Sequence, residues 1–141
     1  MLNDGLKLTG KLTIAINDEI VQEVPNLVVT AGKGYVASRM KDTSATAMSH
    51  MAIGTGSTAA AAGNTALGSE SVRTGLTSTT VSGADIVYVD TFAAGSGTGA
   101  ITEAGIFNAS SGGTMLCRTV FSVVNKGAND AMTITWTVTV S

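Results

Sequence analysis

Met132-Thr133-Ile134-Thr135-Trp136-Thr137-Val138-Thr139-Val140 places an apolar side chain at every even position and threonine at every odd one. Strand side chains project alternately to opposite faces, so strict period two gives one packing face and one polar face. Threonine, valine, isoleucine and tryptophan all favour such a pleated, half-buried surface. The stretch therefore reads as a strand. The same period runs near the other end of the chain. Leu6, Leu8, Leu12, Ile14 and Ile16 alternate with Lys7, Thr9, Lys11 and Thr13. Asn17-Asp18-Glu19 then supplies turn chemistry, and Ile20-Val21-Gln22-Glu23-Val24 resumes an extended run. Residues 6–24 thus read as a hairpin. Pro25, the only proline, ends it together with Asn26, and Leu27-Val28-Val29-Thr30 is a short apolar run.

Between these ends the pattern predicts one helix over 31–41. Thr30 would cap it, Tyr35, Val36 and Met40 would share a side, and Lys41 would complement the dipole at its end. Met48 to Ile53 reads as a strand. Residues 54–71, rich in Gly, Ala, Ser and Thr, read as a long loop with one short helical turn near Ala61 or Leu67. A loop of this length inside a domain is usually functional or ordered by a partner. Further strands are predicted near 72–82, 85–94, 98–107 and 114–122. Turn signals at Ser82-Gly83, Gly95-Ser96-Gly97 and Ser111-Gly112-Gly113 separate them. Many short strands joined by Gly-rich turns indicate a mainly β fold, an antiparallel β-sandwich with one short helix. No boundary divides residues 1–141, so a single domain is expected.

The composition is unusual in its charge. Of 141 residues only 13% are charged, with a net charge of −2, while 44% are hydrophobic and mean hydropathy is +0.32. An ordinary soluble domain carries about 25% charged residues. No run approaches the roughly 18 apolar residues that a membrane span needs. Met1-Leu2-Asn3-Asp4-Gly5 shows no basic region followed by an apolar run, so no signal peptide is expected. A surface of about 25–35% charged residues, usual for a domain that lives alone in water, is out of reach here. The economical explanation is an exterior largely covered by copies of the chain or by a partner. Eight basic residues without a stripe, and 4% aromatics, give no reason to expect nucleic-acid binding.

Catalytic chemistry finds few candidates. A dinucleotide fingerprint over Gly54-Thr55-Gly56 would need a third glycine where Ala59 stands, and Gly32-Lys33 is followed by Gly34 rather than the Ser or Thr of a P-loop. Both read as turns. The single histidine, His50, has no adjacent Cys or carboxylate to orient it, and reads as a packed or interface residue. The single cysteine, Cys117, excludes a disulfide framework and reads as a small buried apolar side chain. Asp90 with Glu103 is the only carboxylate pair worth naming for a glycosidase. Glu103 is set among Ile101, Ala104, Gly105, Ile106 and Phe107. A carboxylate there is costly unless paired. Arg118 is the expected partner in a structural ion pair, and Arg73 of a neighbouring subunit is the second option. No catalytic residue, metal site or cofactor is expected.

Several segments together resemble a family of small tailed-bacteriophage virion proteins, chiefly capsid decoration (cement) proteins, with relatives among tail-fibre and baseplate proteins. They are Asn26-Leu27-Val28-Val29-Thr30 before a glycine and a helix; Met51-Ala52-Ile53-Gly54-Thr55-Gly56-Ser57-Thr58; Asn64-Thr65-Ala66-Leu67-Gly68-Ser69-Glu70; Thr102-Glu103-Ala104-Gly105-Ile106-Phe107-Asn108-Ala109; and Gly113-Thr114-Met115-Leu116-Cys117-Arg118-Thr119. The likeness spans about residues 26–141. Asn64 departs from it where Asp is expected, and Cys117 where Ala is usual. The resemblance implies a sandwich of jelly-roll type, commonly a homotrimer, bound to the major capsid protein on the outer capsid surface of the virion after synthesis in the host cytoplasm. It implies stabilisation of the shell against DNA pressure, without enzymatic activity, small-molecule substrate, nucleic acid or membrane. It also implies that residues 1–25 form a hairpin or arm contacting neighbours. Expected interface residues are Leu6, Leu8, Thr13, Thr55, Thr58 and Thr135. The alternative is a tail-fibre or baseplate domain that binds a host-surface glycan or another tail protein.

Overall fold

In a computed structural model, which describes residues 6–41 and 46–141, the elements follow in chain order. They are β1 (Leu8–Ile16), β2 (Glu19–Pro25), β3 (Leu27–Val28), α1 (Thr30–Lys41), β4 (His50–Gly54), β5 (Glu70–Gly75), β6 (Ser78–Ser82), β7 (Asp85–Phe92), β8 (Gly99–Phe107), β9 (Met115–Lys126) and β10 (Met132–Val140). They form two five-stranded antiparallel sheets, ordered β2-β1-β10-β7-β6 and β3-β9-β8-β4-β5. The fold is thus mainly β with one helix, as the alternation predicts. The chain passes between the sheets at β2–β3, β5–β6, β7–β8 and β9–β10.

The apolar positions of the two terminal patterns meet in the space between the sheets. Leu12, Ile14, Ile134, Trp136 and Val138 from the first sheet pack with Met51, Ile53, Ile106, Cys117 and Val124 from the second. Trp136 is fully buried. Burying each of the larger aliphatic side chains contributes about 1.5–3 kcal/mol. The hairpin turn forms as its residues suggest. Asn17 and Asp18 both take positive φ, 49° and 68°, the geometry that matches the twist of a two-residue hairpin. Asn17 also binds the turn before β10, through its amide to Asp130 Oδ1 at 2.9 Å and from the Ala131 N–H at 3.0 Å. β1 lies between β2 and β10, paired with β10 from Leu8↔Val140 to Ile16↔Met132. The hairpin is therefore built into the first sheet; residues 1–5 of the expected arm lie outside the described residues.

The second sheet is covered on both faces. On the side away from the main core, Val29, Ala52, Leu67, Phe107 and Met115 form a second apolar cluster beneath the start of α1 and the loop before β5. This explains why the second half of β8, from Glu103 to Phe107, and the start of β9, from Met115 to Thr119, are continuously buried instead of alternating. α1 seats closely on β9. Gly32 is its one buried residue, and a Cβ there would collide with the Leu116 carbonyl.

Four expectations are corrected. The stretch 72–82 is two strands in different sheets. The switch falls between consecutive amides: Leu76 N–H donates to Ser49 O, and Thr77 N–H donates to Val89 O. The loop before β5 holds no helix. Near Ala61 there is instead a turn, in which Asn64 N–H donates to Ala61 O and Ala61 N–H donates to Asn64 Oδ1. β9 runs past residue 122 to Lys126, whose buried ammonium donates to Ala93 O at 2.8 Å. On α1, Tyr35 and Val36 pack on the core, but Met40 is 82% exposed.

Candidate functional site

The chemistry of the molecule concentrates on Glu103. A register shift between Ile101 and Glu103 breaks the alternation of β8. Ile101, Ala104 and Ile106 all enter the inter-sheet core, and Glu103 faces the loop that joins β4 to β5. There its carboxylate accepts five N–H donors from four residues. Oε2 takes the N–H groups of Gly56 and Ser69, each at 2.7 Å. Oε1 takes the Gly68 N–H at 2.7 Å and Arg118 Nη2 at 2.9 Å, with Arg118 Nε at 3.2 Å. Both side chains are buried, Glu103 at 0% and Arg118 at 2% exposure. The expected intrachain ion pair is present.

Arg118 extends the network to the loop. Its Nη1 donates to Asn64 Oδ1 at 2.9 Å and its Nη2 to Thr58 O at 3.0 Å. Thr102 Oγ1 donates to Gly56 O, and Thr55 N–H to Ser69 O. The loop is thus folded around a buried ion pair that fills its backbone requirements. Burial by itself raises the Glu103 carboxyl pKa. The Ser69 N–H, the guanidinium of Arg118 and the Gly68 and Gly56 N–H groups outweigh that and hold it below the ordinary value. Gly54 and Gly56 are explained by this packing. A Cβ at Gly54 would meet the Ser69 carbonyl, and one at Gly56 would meet the Glu103 carboxylate. The Gly-Thr-Gly segment is a close-approach turn.

The other sequence candidates take separate places. Arg73, the second option for Glu103, is engaged within its own chain. It pairs with Glu70 at 2.8 Å, donates to the carbonyls of Ala109 and Gly112, and stacks 3.7 Å above the Phe107 ring. Asp90 lies on β7 in the other sheet, where Thr74 Oγ1 donates to it at 2.6 Å. Burial raises its carboxyl to about 6, against the opposing hydrogen bonds of Thr74, Thr91 and Thr77. Asp90, bonded across to Thr74 of β5, and Glu103 therefore lie on different sheets with different partners, and do not pair. His50 Nδ1 lies 2.8 Å from the hydroxyl of Ser49, and the ring is half-buried on β4. Cys117 is fully buried, and burial raises its thiol pKa.

The expected interface residues all reach the surface, at three places. Thr13 and Thr135 are cross-strand partners on the outer face of the first sheet. There Thr9 faces Thr139, Lys11 faces Thr137, and the Thr91 and Thr133 hydroxyls lie 3.0 Å apart. Thr55 and Thr58 are exposed on the loop anchored by Glu103 and Arg118. Leu6 is 74% exposed. Leu8 is half-buried and lines an apolar cleft of about 370 Å³ with Tyr35, Val36, Met48, Ile86 and Tyr88. Sequence reasoning missed the partners of the buried pair: the amides of Gly56, Gly68 and Ser69, and the side chain of Asn64. The signal available was the recurrence of glycine on both sides of the loop.

Among the described residues no three His, Cys, Asp or Glu side chains cluster in a way that could hold a metal ion, and no helix is long and apolar enough to cross a membrane. No protein-family model matches the chain, and neither a curated protein nor a solved structure matches it.

Proposed function

We propose that the chain is a virion structural protein: a homotrimeric decoration or cement protein that binds the major capsid protein on the outer surface of a tailed-phage capsid and stabilises the shell against internal DNA pressure. Its work is mechanical and turns over no substrate. The observation that carries this reading is the outer face of the first sheet. Thr9, Thr13, Thr133, Thr135, Thr137 and Thr139 lie side by side there across β1 and β10, interrupted by Lys11 alone among charged residues on those two strands. Covering such a face strips few charges of water, which is the expensive part of burial. Its methyl groups add apolar area and its hydroxyls add hydrogen bonds. Several weak contacts of this kind, made at once by an oligomer, multiply to an avidity about a hundredfold or more above one contact.

Binding to capsids, read by cosedimentation and by electron microscopy of decorated particles, tests the reading. Thr13→Lys and Thr135→Asp are expected to weaken capsid binding by roughly tenfold or more through charge burial, while each free protein melts within a few degrees of wild type. Capsid binding by both variants at wild-type strength overturns the assignment of that face, and failure of the wild type to bind any shell overturns the function.

A tail-fibre or baseplate domain that binds a host glycan is the second reading, favoured by the cleft at which Tyr35 and Tyr88 meet. Its lining is mostly Leu, Val, Ile and Met, which offers sugar hydroxyls few partners. Glycan-array binding without capsid binding selects this reading instead.

A further inference from the structure

The four strands that end the two sheets differ in how they are protected. β2 carries Glu19 and Glu23 and closes on Pro25, and β5 carries Glu70 and Arg73. β3 is only two residues long. β6, Ser78-Thr79-Thr80-Val81-Ser82, has none of these devices. All five of its residues are exposed, none is charged and none is proline. Edge strands expose unpaired N–H and C=O groups, and proteins usually blunt them with charge, proline, a bulge or a cover.

We infer that β6 pairs antiparallel with β6 of a second copy, in a register centred on Thr80, so that the first sheets of two copies run on as one across a two-fold axis. The register follows from the strand's own sequence. With Thr80 opposite Thr80, Ser78 meets Ser82 and Thr79 meets Val81 in both directions. Every pair is neutral, and the β-branched cross-strand pairs are favourable. The same operation on β2 would bring two acidic strands together. The pairing also covers apolar surface. Val81 is 69% exposed, registers with Ile86 of β7, and lines the mouth of the apolar cleft with Thr79. A two-fold axis perpendicular to the sheet sets Thr79 and Val81 of both copies on the same side, so that each Val81 packs against Thr79 of the other copy.

Two measurements test the contact. The two-fold contact joins chains of separate homotrimers, so in sedimentation or native mass spectrometry at roughly 100 µM, a concentration at which even weak isologous contacts are populated, Thr80→Lys is expected to halve the mass of the wild-type assembly, which is built from 14.1 kDa chains. A wild-type protein that stays monomeric there, or an assembly mass unchanged by Thr80→Lys, overturns the proposal. Thr80→Cys is the conservative second variant. Under mild oxidation it is expected to yield a covalent pair of chains, because directly opposed strand residues have the Cα separation a disulfide requires. Cys117 is buried and silent. Ser78→Cys alone is expected not to cross-link, but to do so when mixed with Ser82→Cys. Self-linking of Ser78→Cys as fast as Thr80→Cys would mean random collision and overturns the register.

Discussion

Glu103 and Arg118 form a fully buried ion pair, 2.9 Å apart, whose carboxylate also closes three backbone N–H groups of a loop more than thirty residues away in sequence. Neutralising one partner of a buried pair leaves the other uncompensated, at a cost of about 3–5 kcal/mol. Glu103→Gln also turns an amide donor toward groups that are themselves donors. The variant is expected to lose about that much stability in urea unfolding. Hydrogen exchange should show the Gly56, Gly68 and Ser69 amides losing protection before those of β1 and β10.

Two glycines of α1 give opposite results on substitution. Gly32 abuts the Leu116 carbonyl, whereas a Cβ built at Gly34 has nothing within 4 Å beyond its chain neighbours and its own helix backbone. Gly32→Ala must push the helix off β9 and is expected to cost about 1–3 kcal/mol. Gly34→Ala replaces a poor helix former at an open position and is expected to stabilise by about 0.5–1 kcal/mol. Urea midpoints of the two variants, which should move in opposite directions, check this.

Stability should fall as pH rises across Asp90. Its folded carboxyl titrates at about 6, above the ordinary value of about 3.9. Between those values the folded chain holds a proton that the unfolded chain has released, so stability declines through the window, by about 2–3 kcal/mol in all. Asp90→Asn is expected to flatten that slope in melts from pH 4 to 7. Glu103 has the opposite sign. Its folded pKa is lowered, so its contribution is complete above its ordinary value of about 4.3 and is lost as pH falls through the folded value. Melting temperature should therefore peak on the mildly acidic side.

Cys117 is expected to react with a thiol reagent only when the sandwich opens. The side chain is fully buried and burial raises its pKa, and the thiolate is the reactive form. Labelling should be complete in denaturant and slow in buffer, with a native rate that rises as urea is added.

The sequence carries its strand pattern most clearly where one face of a sheet is wet. Residues 132–140 alternate without a break, and β10 has those limits. The cost of an unpaired carboxylate among apolar neighbours likewise makes Glu103 and Arg118 legible as a pair. The division of 72–82 is not legible, because Thr74, Leu76 and Thr79 suit a strand in either sheet and only the carbonyls of Ser49 and Val89 decide which. The folding of the loop around Glu103 is hidden for a similar reason. Its anchors are backbone amides, which leave no mark on side-chain composition beyond the glycines that let them approach.

The nine-residue pairing of β1 with β10 governs how the molecule can be made. β1 is synthesised well ahead of its partner β10, so during translation Leu12 and Ile14 stay wet until residues 132–140 arrive to zip beside them. Closure of this kind joins strands far apart in sequence and belongs among slow, topology-limited folding reactions. A truncated product stopping short of Met132 would leave β1 and β7 without the neighbour that joins them, with two raw strand edges open to clumping.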